Sequence, residues 1–174
     1  MNFSTIFLSL IVLPLTLFAR IDDCLKPCPN KSDKHKIEGI DFIYMINLDQ
    51  REEKFLLSSE QLNPFNIYPY RFSAVNGWEL TTEQINQLGV TFEKGMDQLM
   101  GTTYVQGDDK PHHEMMQIGT NYFVHCMSKG AIGIWLSHLS ILKDAYKSGY
   151  KKIWVMEDDI EVFQDPNSIS KYIK

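Results

Sequence analysis

Residues 153–163 read Ile-Trp-Val-Met-Glu-Asp-Asp-Ile-Glu-Val-Phe, an apolar strand that ends in three consecutive acidic residues. Packing gives no reason for Glu157, Asp158 and Asp159 to stand side by side at the end of a buried strand. A divalent cation relieves their mutual repulsion most simply, and hard oxygen ligands suit Mg²⁺ or Mn²⁺. In open α/β sheets, ligands gather beyond the carboxyl ends of the strands. This acidic triplet therefore predicts a metal site for a phosphate-bearing ligand, with a turn or a helix cap that has solvated acids as the alternative.

A helix is expected to lead into this strand. Between Gly130 and Gly149, apolar side chains recur at helical spacing, and Lys143 and Lys147 near the C-terminal end suit the helix dipole. Gly149 is expected just past the last turn, at the C′ position. The residues expected on the buried face are Ile132, Trp135, Leu136, Leu139, Leu142 and Tyr146.

A second strand–helix unit opens the domain near Ile40. Residues 42–46 form a continuous apolar run that suits a strand buried on both faces. Asp49 followed three residues later by Glu52 resembles a capping box, which predicts a helix through about Leu62. Strand–helix–strand order repeated in this way predicts an α/β domain with a mostly parallel sheet.

The middle of the chain is less regular. Residues 68–72 predict a second short strand, followed by a turn at residues 76–77. Thr81 with Gln84 predicts the start of a short helix. Residues 91–128 have scattered Gly, Met and His with no clear period, which fits a long ordered insertion or an active-site loop.

The N-terminus has a different composition. The uncharged apolar stretch from Ile6 to Ala19 has the length of a signal-peptide core, so residues 1–19 are set apart from the fold and residues 20–38 are expected to be a linker. This predicts the secretory pathway or the cell envelope. Basic residues follow the stretch rather than precede it, so an uncleaved membrane anchor through residues 6–19 would leave the domain facing the cytosol.

Net charge and cysteine content bear on the binding partner and on the compartment of the protein. The chain has 174 residues and a net charge of −5 without a broad basic stripe, which gives no reason to expect a nucleic-acid partner. Cys24 and Cys28 are spaced so that a disulfide is one option in an oxidising compartment, which would leave Cys126 free.

Two further groups of polar residues are candidates for binding. Asn47 and Asp49 follow the first strand, and Arg51 at the same rim has the geometry to meet a phosphate; a capped helix start is the alternative. Ser137 and His138 lie in the middle of the predicted helix. A histidine there is more often a core residue, and a catalytic role requires its ring to face the acidic triplet.

Four blocks in order carry a family resemblance. Residues 43–51, Ile-Tyr-Met-Ile-Asn-Leu-Asp-Gln-Arg, resemble the opening of glycosyltransferase family 25. Residues 71–77, Arg-Phe-Ser-Ala-Val-Asn-Gly, are similar to its Arg-Phe-x-Ala-Val-Asp-Gly block. Residues 130–138 end in Ser-His like its Gly-Glu-x-Gly-Cys-x-x-Ser-His block, and residues 155–160 are similar to its Leu-Glu-Asp-Asp-Val block.

The resemblance implies a GT-A-like, Rossmann-like nucleotide-sugar-binding domain over residues 39–174. It implies metal-dependent, inverting transfer of a hexose, galactose or glucose, from a nucleotide sugar such as a UDP-hexose to a glycan, lipooligosaccharide or glycoprotein. A catalytically dead remnant that binds sugar nucleotide or glycan is the alternative. By this resemblance, the acidic triplet binds Mn²⁺ or Mg²⁺. The residues expected to hold or line the donor are Asn47, Leu48, Asp49, Arg51, Ser137 and His138.

The sequence also departs from the family pattern. Gln50 and Lys54 stand where arginine is frequent, and Asn76 replaces the usual aspartate. Ala131 and Ile134 stand where glutamate and cysteine are common. Family members continue well beyond the acidic block, so the sequence resembles the donor-binding part of the domain, from a truncated gene or a divergent relative, and the catalytic base is not identifiable in it.

Overall fold

The computed structural model describes residues 21–32, 37–96, 100–124 and 127–173, without the side chain of Val124. The predicted signal peptide or anchor, residues 1–19, lies outside the described residues and stays a prediction. Within the described ranges, no helix combines the length and the apolar character needed to cross a membrane.

The structure is α/β, with one parallel and one antiparallel sheet. The strands and α-helices of the described residues are β1 (Phe42–Asn47), α1 (Glu52–Leu62), β2 (Tyr70–Ser73), α2 (Thr82–Leu88), β3 (Val90–Thr91), β4 (Met100–Thr103), β5 (His112–Met115), β6 (Asn121–Val124), α3 (Lys129–Ser148) and β7 (Ile153–Glu157). Within these ranges, the parallel sheet has three strands in the order β2-β1-β7, and the antiparallel sheet has four in the order β3-β6-β4-β5.

Strand β1 is buried along its whole length, as its apolar run predicts. Its side chains alternate between two clusters because successive residues of a strand point to opposite faces. Ile43 and Met45 pack with Leu62 of α1. On the other face, Tyr44 belongs to a cluster that contains Ile141 of α3. The sheet is therefore covered by α1 on one side and α3 on the other.

Helix α3 is confirmed, but its buried face matches the predicted one only in part. Of the predicted stripe, Ile132 and Leu136 are fully buried, whereas the exposed fractions of Trp135, Leu142 and Tyr146 are 39%, 57% and 87%. The rest of the buried face is rich in small residues, because other parts of the chain approach the helix backbone closely there. Its members are Lys129, Ile132, Gly133, Leu136, Ser137, Ser140, Ile141 and Ala145.

The helix ends differ in how well the sequence predicts them. Gly149 adopts a left-handed conformation with φ +73° and ends α3, as expected. The capping box of Thr81 and Gln84 is present at α2. The capping box expected at Asp49 is wrong: a 3₁₀ turn, Asp49–Arg51, precedes α1 and neither has a side-chain cap. The Asp49 carboxylate accepts a hydrogen bond from another strand instead.

Residues 91–128 contain most of the antiparallel sheet, which the sequence did not predict. Its strands have two to four residues, too short to show a period. Every residue of β5 is exposed, so this strand also lacks the alternation of apolar and polar residues that marks a half-buried strand. Tyr104 and Phe123 of this region nevertheless join a core cluster with Ile132 and Leu136 of α3, which ties the insertion to the parallel sheet through that helix.

Residues 21–32 pack against the domain, which differs from the linker expected for residues 20–38. Lys31 forms an ion pair with Asp144 of α3 at 2.8 Å, and both side chains are about one-fifth exposed. The same carboxylate accepts a hydrogen bond from the Tyr44 hydroxyl at 2.5 Å. Asp22 pairs with Lys143 at 2.5 Å. The segment has the polar composition of a linker because its partners on α3 are themselves polar.

Cys24 and Cys28 are both free thiols in the structure. Cys24 is buried in the cluster around Ile132 and Leu136. Burial, reinforced by the negative charge of Asp144, raises the pKa of the Cys28 thiol to about 12. Cys28 is therefore a poor nucleophile at neutral pH, because the reactive species is the thiolate. Cys126 lies outside the described residues.

The 3₁₀ turn Gly77–Glu79 lies directly against the N-terminal part of α3. A Cβ atom on Gly77 would stand 1.7 Å from the carbonyl oxygen of Lys129, and one on Gly133 would stand 2.5 Å from that of Val75. Only two residues without side chains allow the turn and the helix backbone to approach this closely. This contact fixes the position of Trp78, which follows Gly77 in the turn.

We expect Lys31→Ala to lower the free energy of unfolding by about 1–2 kcal/mol, because the shielded Asp144 carboxylate loses its cation. Urea denaturation at neutral pH measures the change. Lys171→Ala, which removes the same charge at an exposed position, is the matched control and should change stability by less than about 0.5 kcal/mol. Equal stability of the two variants would show that residues 21–32 do not contribute through this pair.

Gly77→Ala should lower the free energy of unfolding by about 3 kcal/mol or more, because the new methyl group meets backbone that cannot move aside. Gly130→Ala is the control: its Cβ atom has only ordinary contacts at 3.7 Å and lies in the first turn of a helix. That variant should be as stable as the original or slightly more stable. Thermal unfolding distinguishes the two, and a tolerated Gly77→Ala would disprove the close approach.

Candidate functional site

The carboxyl ends of β1, β2 and β7 meet at one edge of the parallel sheet, and the Asn47 side chain connects them. Asn47 is 1% exposed. Its Nδ2 donates to the carbonyl oxygen of Arg51 at 2.8 Å and to Asp158 Oδ2 at 2.7 Å. Its Oδ1 accepts from Arg71 Nε at 2.8 Å. Both amide protons and the carbonyl oxygen are used, so this buried side chain has one favoured orientation.

Arg71, which the sequence did not single out, is the second member of this network. It lies in the middle of β2 opposite Met45 of β1. Its guanidinium stands over the Phe55 ring at 5.5 Å, and its Nη1 donates to Glu52 Oε1 at 3.2 Å. One feature of the sequence could have indicated this role: the arginine stands between two aromatic residues in a short strand. A charged side chain in such surroundings needs polar partners nearby.

The acidic triplet lies where the strand ends, as the sequence indicates. Glu157 is the last residue of β7 and is exposed, Asp158 is half-buried, and Asp159 is exposed. Asp158 is fixed twice, because its carboxylate accepts from Asn47 and its backbone carbonyl accepts from Ser58 Oγ at 2.8 Å. The three acids therefore have different surroundings: one is held by protein and two face solvent.

In the part of the chain that the structure describes, no three His, Cys, Asp or Glu side chains converge into a metal-binding group. A Mg²⁺ or Mn²⁺ site can still be built from fewer protein ligands, because such ions commonly use one or two carboxylates together with substrate phosphates and water. The exposed Glu157 and Asp159 supply hard oxygen donors of that kind. Their chemistry fits such a cation, and metal binding by the triplet stays a prediction.

Ser137 and His138 occupy different environments although they are adjacent in α3. Ser137 is fully buried: its Oγ accepts from the Val75 backbone amide at 2.8 Å and donates to the Gly133 carbonyl at 2.8 Å. It therefore holds the chain after β2 against the helix. His138 is about two-fifths exposed, and its Nε2 lies 3.7 Å from Glu157 Oε1. The imidazole thus faces the acidic triplet, the orientation that a role in the site requires.

Leu48 and Asp49 lie on the β1 side of the same edge. Leu48 is half-buried and packs with the cluster around Tyr44. The Asp49 carboxylate accepts from Ser73 Oγ at 2.7 Å and lies 3.8 Å from Lys26 Nζ. Lys26, which was expected to lie in a linker, brings a positive charge from the N-terminal segment to this rim.

A cleft of about 150 Å³ opens between this sheet edge and the start of α3. Its lining is mostly apolar, and it includes the charged residues Arg51, Glu157 and Asp158. Trp78, 59% exposed, and Ile134, 44% exposed, also line it. The sequence did not single out Trp78, because an isolated tryptophan after a glycine turn carries no periodic signal. Of the predicted site residues, the cleft is lined by Leu48, Arg51, Ser137, Glu157 and Asp158.

Comparison with known proteins identifies the family of this chain. The sequence profile described as Glycosyltransferase family 25 (LPS biosynthesis protein) matches residues 40–174. A Glycosyltransferase 25 family member of Drosophila melanogaster is 30% identical over 138 residues, which are 79% of this chain and 19% of that protein. One of Aedes aegypti is 28% identical over 136 residues, 78% of this chain and 19% of its own length.

A human relative bears a different name. The Inactive glycosyltransferase 25 family member 3 of Homo sapiens is 27% identical over 123 residues, 70% of this chain and 17% of that protein. The chain thus spans less than one-fifth of the length of these curated relatives. No solved structure gives a significant match. Because the family profile covers the domain from its first strand to the last residue of the chain, this protein belongs to glycosyltransferase family 25.

Proposed function

We propose that this chain forms the donor-binding part of a metal-dependent, inverting hexosyltransferase that uses a nucleotide sugar, a UDP-hexose carrying galactose or glucose. One observation carries the proposal. The Asp158 carboxylate after β7 is held by Asn47 of β1, beside a cleft that Arg51 lines. Acidic and basic side chains thus meet at the carboxyl edge of a parallel sheet, where ligands of α/β proteins bind.

The charges suit a nucleoside diphosphate leaving group. As the sugar is transferred, negative charge grows on the diphosphate. A cation held by Asp159, together with Glu157 or Asp158, would offset that charge as a Lewis acid. Arg51 is exposed at the cleft, and its guanidinium has the planar donors that pair with phosphate oxygens. Family membership and the position of these residues support this assignment.

The buried polar residues act by positioning. Asn47 fixes the Asp158 carboxylate, and Ser137 fixes the backbone at Val75, which lines the cleft. His138 is placed to orient Glu157 through their 3.7 Å contact. Such supporting contacts hold the groups at the ligand within the narrow tolerance that transfer reactions need.

The acceptor is proposed to be a hydroxyl group of a glycan, a lipooligosaccharide or a glycoprotein. In an inverting transfer this oxygen attacks the anomeric carbon from the face opposite the diphosphate, while a carboxylate base takes its proton. We assign the base to no residue of this chain. The proposed location is the secretory pathway or the cell envelope, with a cytosol-facing membrane anchor as the alternative.

A second candidate is a catalytically dead remnant that binds sugar nucleotide or glycan. The name of the human relative favours it. Purified protein incubated with UDP-galactose or UDP-glucose and Mn²⁺ distinguishes the two. Transfer to a glycan or release of free hexose would exclude the remnant.

Replacing Asp158 and Asp159 together by asparagine should lower the Mn²⁺-dependent affinity for UDP by about tenfold or more, because the cation loses charged ligands. The carbonyl oxygen of the amide introduced at position 158 can still accept the hydrogen bond from Asn47, so the fold is retained. Calorimetric titration of UDP with Mn²⁺, and again with EDTA, measures the effect. Glu161→Gln removes a nearby exposed charge and is the control. Unchanged, Mn²⁺-dependent binding in the double variant would refute the metal assignment.

Arg51→Ala should weaken UDP binding by about tenfold and leave uridine binding unchanged, because the guanidinium pairs with phosphate rather than with the base. Only the Arg51 backbone carbonyl contacts Asn47, so the change does not disturb that network. Lys54→Ala, which removes a positive charge one turn away, serves as the control. Equal losses for UDP and uridine would show that Arg51 does not bind the diphosphate.

A further inference from the structure

The Trp78 side chain is exposed although its backbone is held in place by packing. Trp78 is 59% accessible to solvent, and its backbone lies in the Gly77–Glu79 turn that packs against α3. The Trp78 amide donates to Asn76 Oδ1 at 3.1 Å, and Asn76 Nδ2 donates to Glu79 Oε1 at 2.9 Å. Gly77 permits no side chain beneath the turn. The indole is thus presented on a stiff support rather than on a mobile loop.

The indole lies beside the start of α3. A Cβ atom added to Gly130 would be in ordinary van der Waals contact with Trp78 Nε1, at 3.7 Å. The cleft of about 150 Å³ is small. Pockets for whole drug-sized ligands measure roughly 300–1,000 Å³. This cleft therefore accommodates one ring of a larger ligand.

The polar groups around the cleft identify the kind of ring. Glu157 and Asp158 bring carboxylate oxygens, which accept hydrogen bonds from hydroxyl groups, and Arg51 donates to hydroxyl oxygens. A pyranose has hydroxyl groups at its edge and a patch of C–H bonds on one face. The face of an indole is electron-rich and apolar, and it attracts such weakly positive C–H groups. Aromatic face and carboxylate edge together match a sugar ring.

We propose that Trp78 is a stacking platform for a pyranose ring bound in this cleft, and so determines sugar specificity. The inference rests on the proposed function and adds to it the residue that recognises the sugar. The ring belongs either to the donor hexose or to the terminal hexose of the acceptor. Both are pyranose rings with a C–H face that can pack on the indole.

The test compares Trp78→Ala and Trp78→Phe with the original protein in calorimetric titrations with Mn²⁺. The ligands are UDP, UDP-galactose, UDP-glucose and the methyl β-glycosides of galactose and glucose. Trp135→Ala, another partly exposed tryptophan but outside the cleft, is the matched control. Because Trp78 is largely exposed, its truncation should leave the thermal unfolding midpoint unchanged, which is measured first.

We expect Trp78→Ala to lower the affinity for a hexose-bearing ligand by about tenfold, Trp78→Phe to lose less, and UDP binding to change by less than about twofold. Loss with the UDP-hexoses identifies the donor ring, and loss with the glycosides alone identifies the acceptor ring. Unchanged affinity for every hexose ligand overturns the proposal. An equal loss for UDP also overturns it, since the indole would then hold the nucleotide.

The outcomes separate this inference from the proposed function. If the original protein binds neither UDP nor the UDP-hexoses, the donor-binding function fails. Glycoside binding that depends on Trp78 would then still support the sugar platform, as in a glycan-binding remnant. If the glycosides also fail to bind, both proposals are overturned.

Discussion

The amide of Asn47 is the interaction on which the rest of the site depends. It is buried at the end of the central strand and reaches three other parts of the chain: Arg71 of β2, the Arg51 carbonyl before α1, and Asp158 after β7. A carboxylate and a guanidinium are both costly to bury without partners, and one neutral side chain supplies a partner to each. An aspartate would offer no donor to Asp158, and a leucine would leave both charges without this partner. An amide side chain is therefore the one that suits position 47. Its hydrogen bond holds Asp158 of the acidic triplet in position.

The sequence correctly predicted the elements whose signals are local, such as burial on both faces or a cap made by neighbouring residues. Strand β1 is apolar from Phe42 to Ile46 because both faces are buried, and α2 is marked by a capping box whose two hydrogen bonds are both present. The position of the acidic triplet at a strand end follows from an abrupt change of polarity between Met156 and Glu157. In each case the local sequence has only one favourable conformation, so no distant contact is needed to decide it.

The remaining features depend on contacts between distant residues, which a single sequence does not display. Asp49 could cap a helix, but Ser73 of the neighbouring strand takes its carboxylate. The buried face of α3 includes small residues as well as the predicted Ile132 and Leu136, because the turn at Gly77 packs against the helix backbone. Strand β5, at one edge of the antiparallel sheet, is fully exposed and so shows no alternation of buried and exposed residues. Trp78 becomes notable only when the cleft is seen around it, and the partners of Arg71 are known only from the Asn47 network.

The packing of residues 21–32 against the domain limits how far the domain can move from its N-terminal segment. A flexible linker of about nineteen residues would have a root-mean-square end-to-end distance of roughly 25 Å. Ion pairs of Asp22 and Lys31 with α3 remove most of that freedom. If residues 6–19 were held in a bilayer, the cleft would stand at a nearly constant height above the lipid surface. Acceptors would then be chosen partly by how far their hydroxyl groups project from the membrane, a geometric filter set by the scaffold rather than by the site itself.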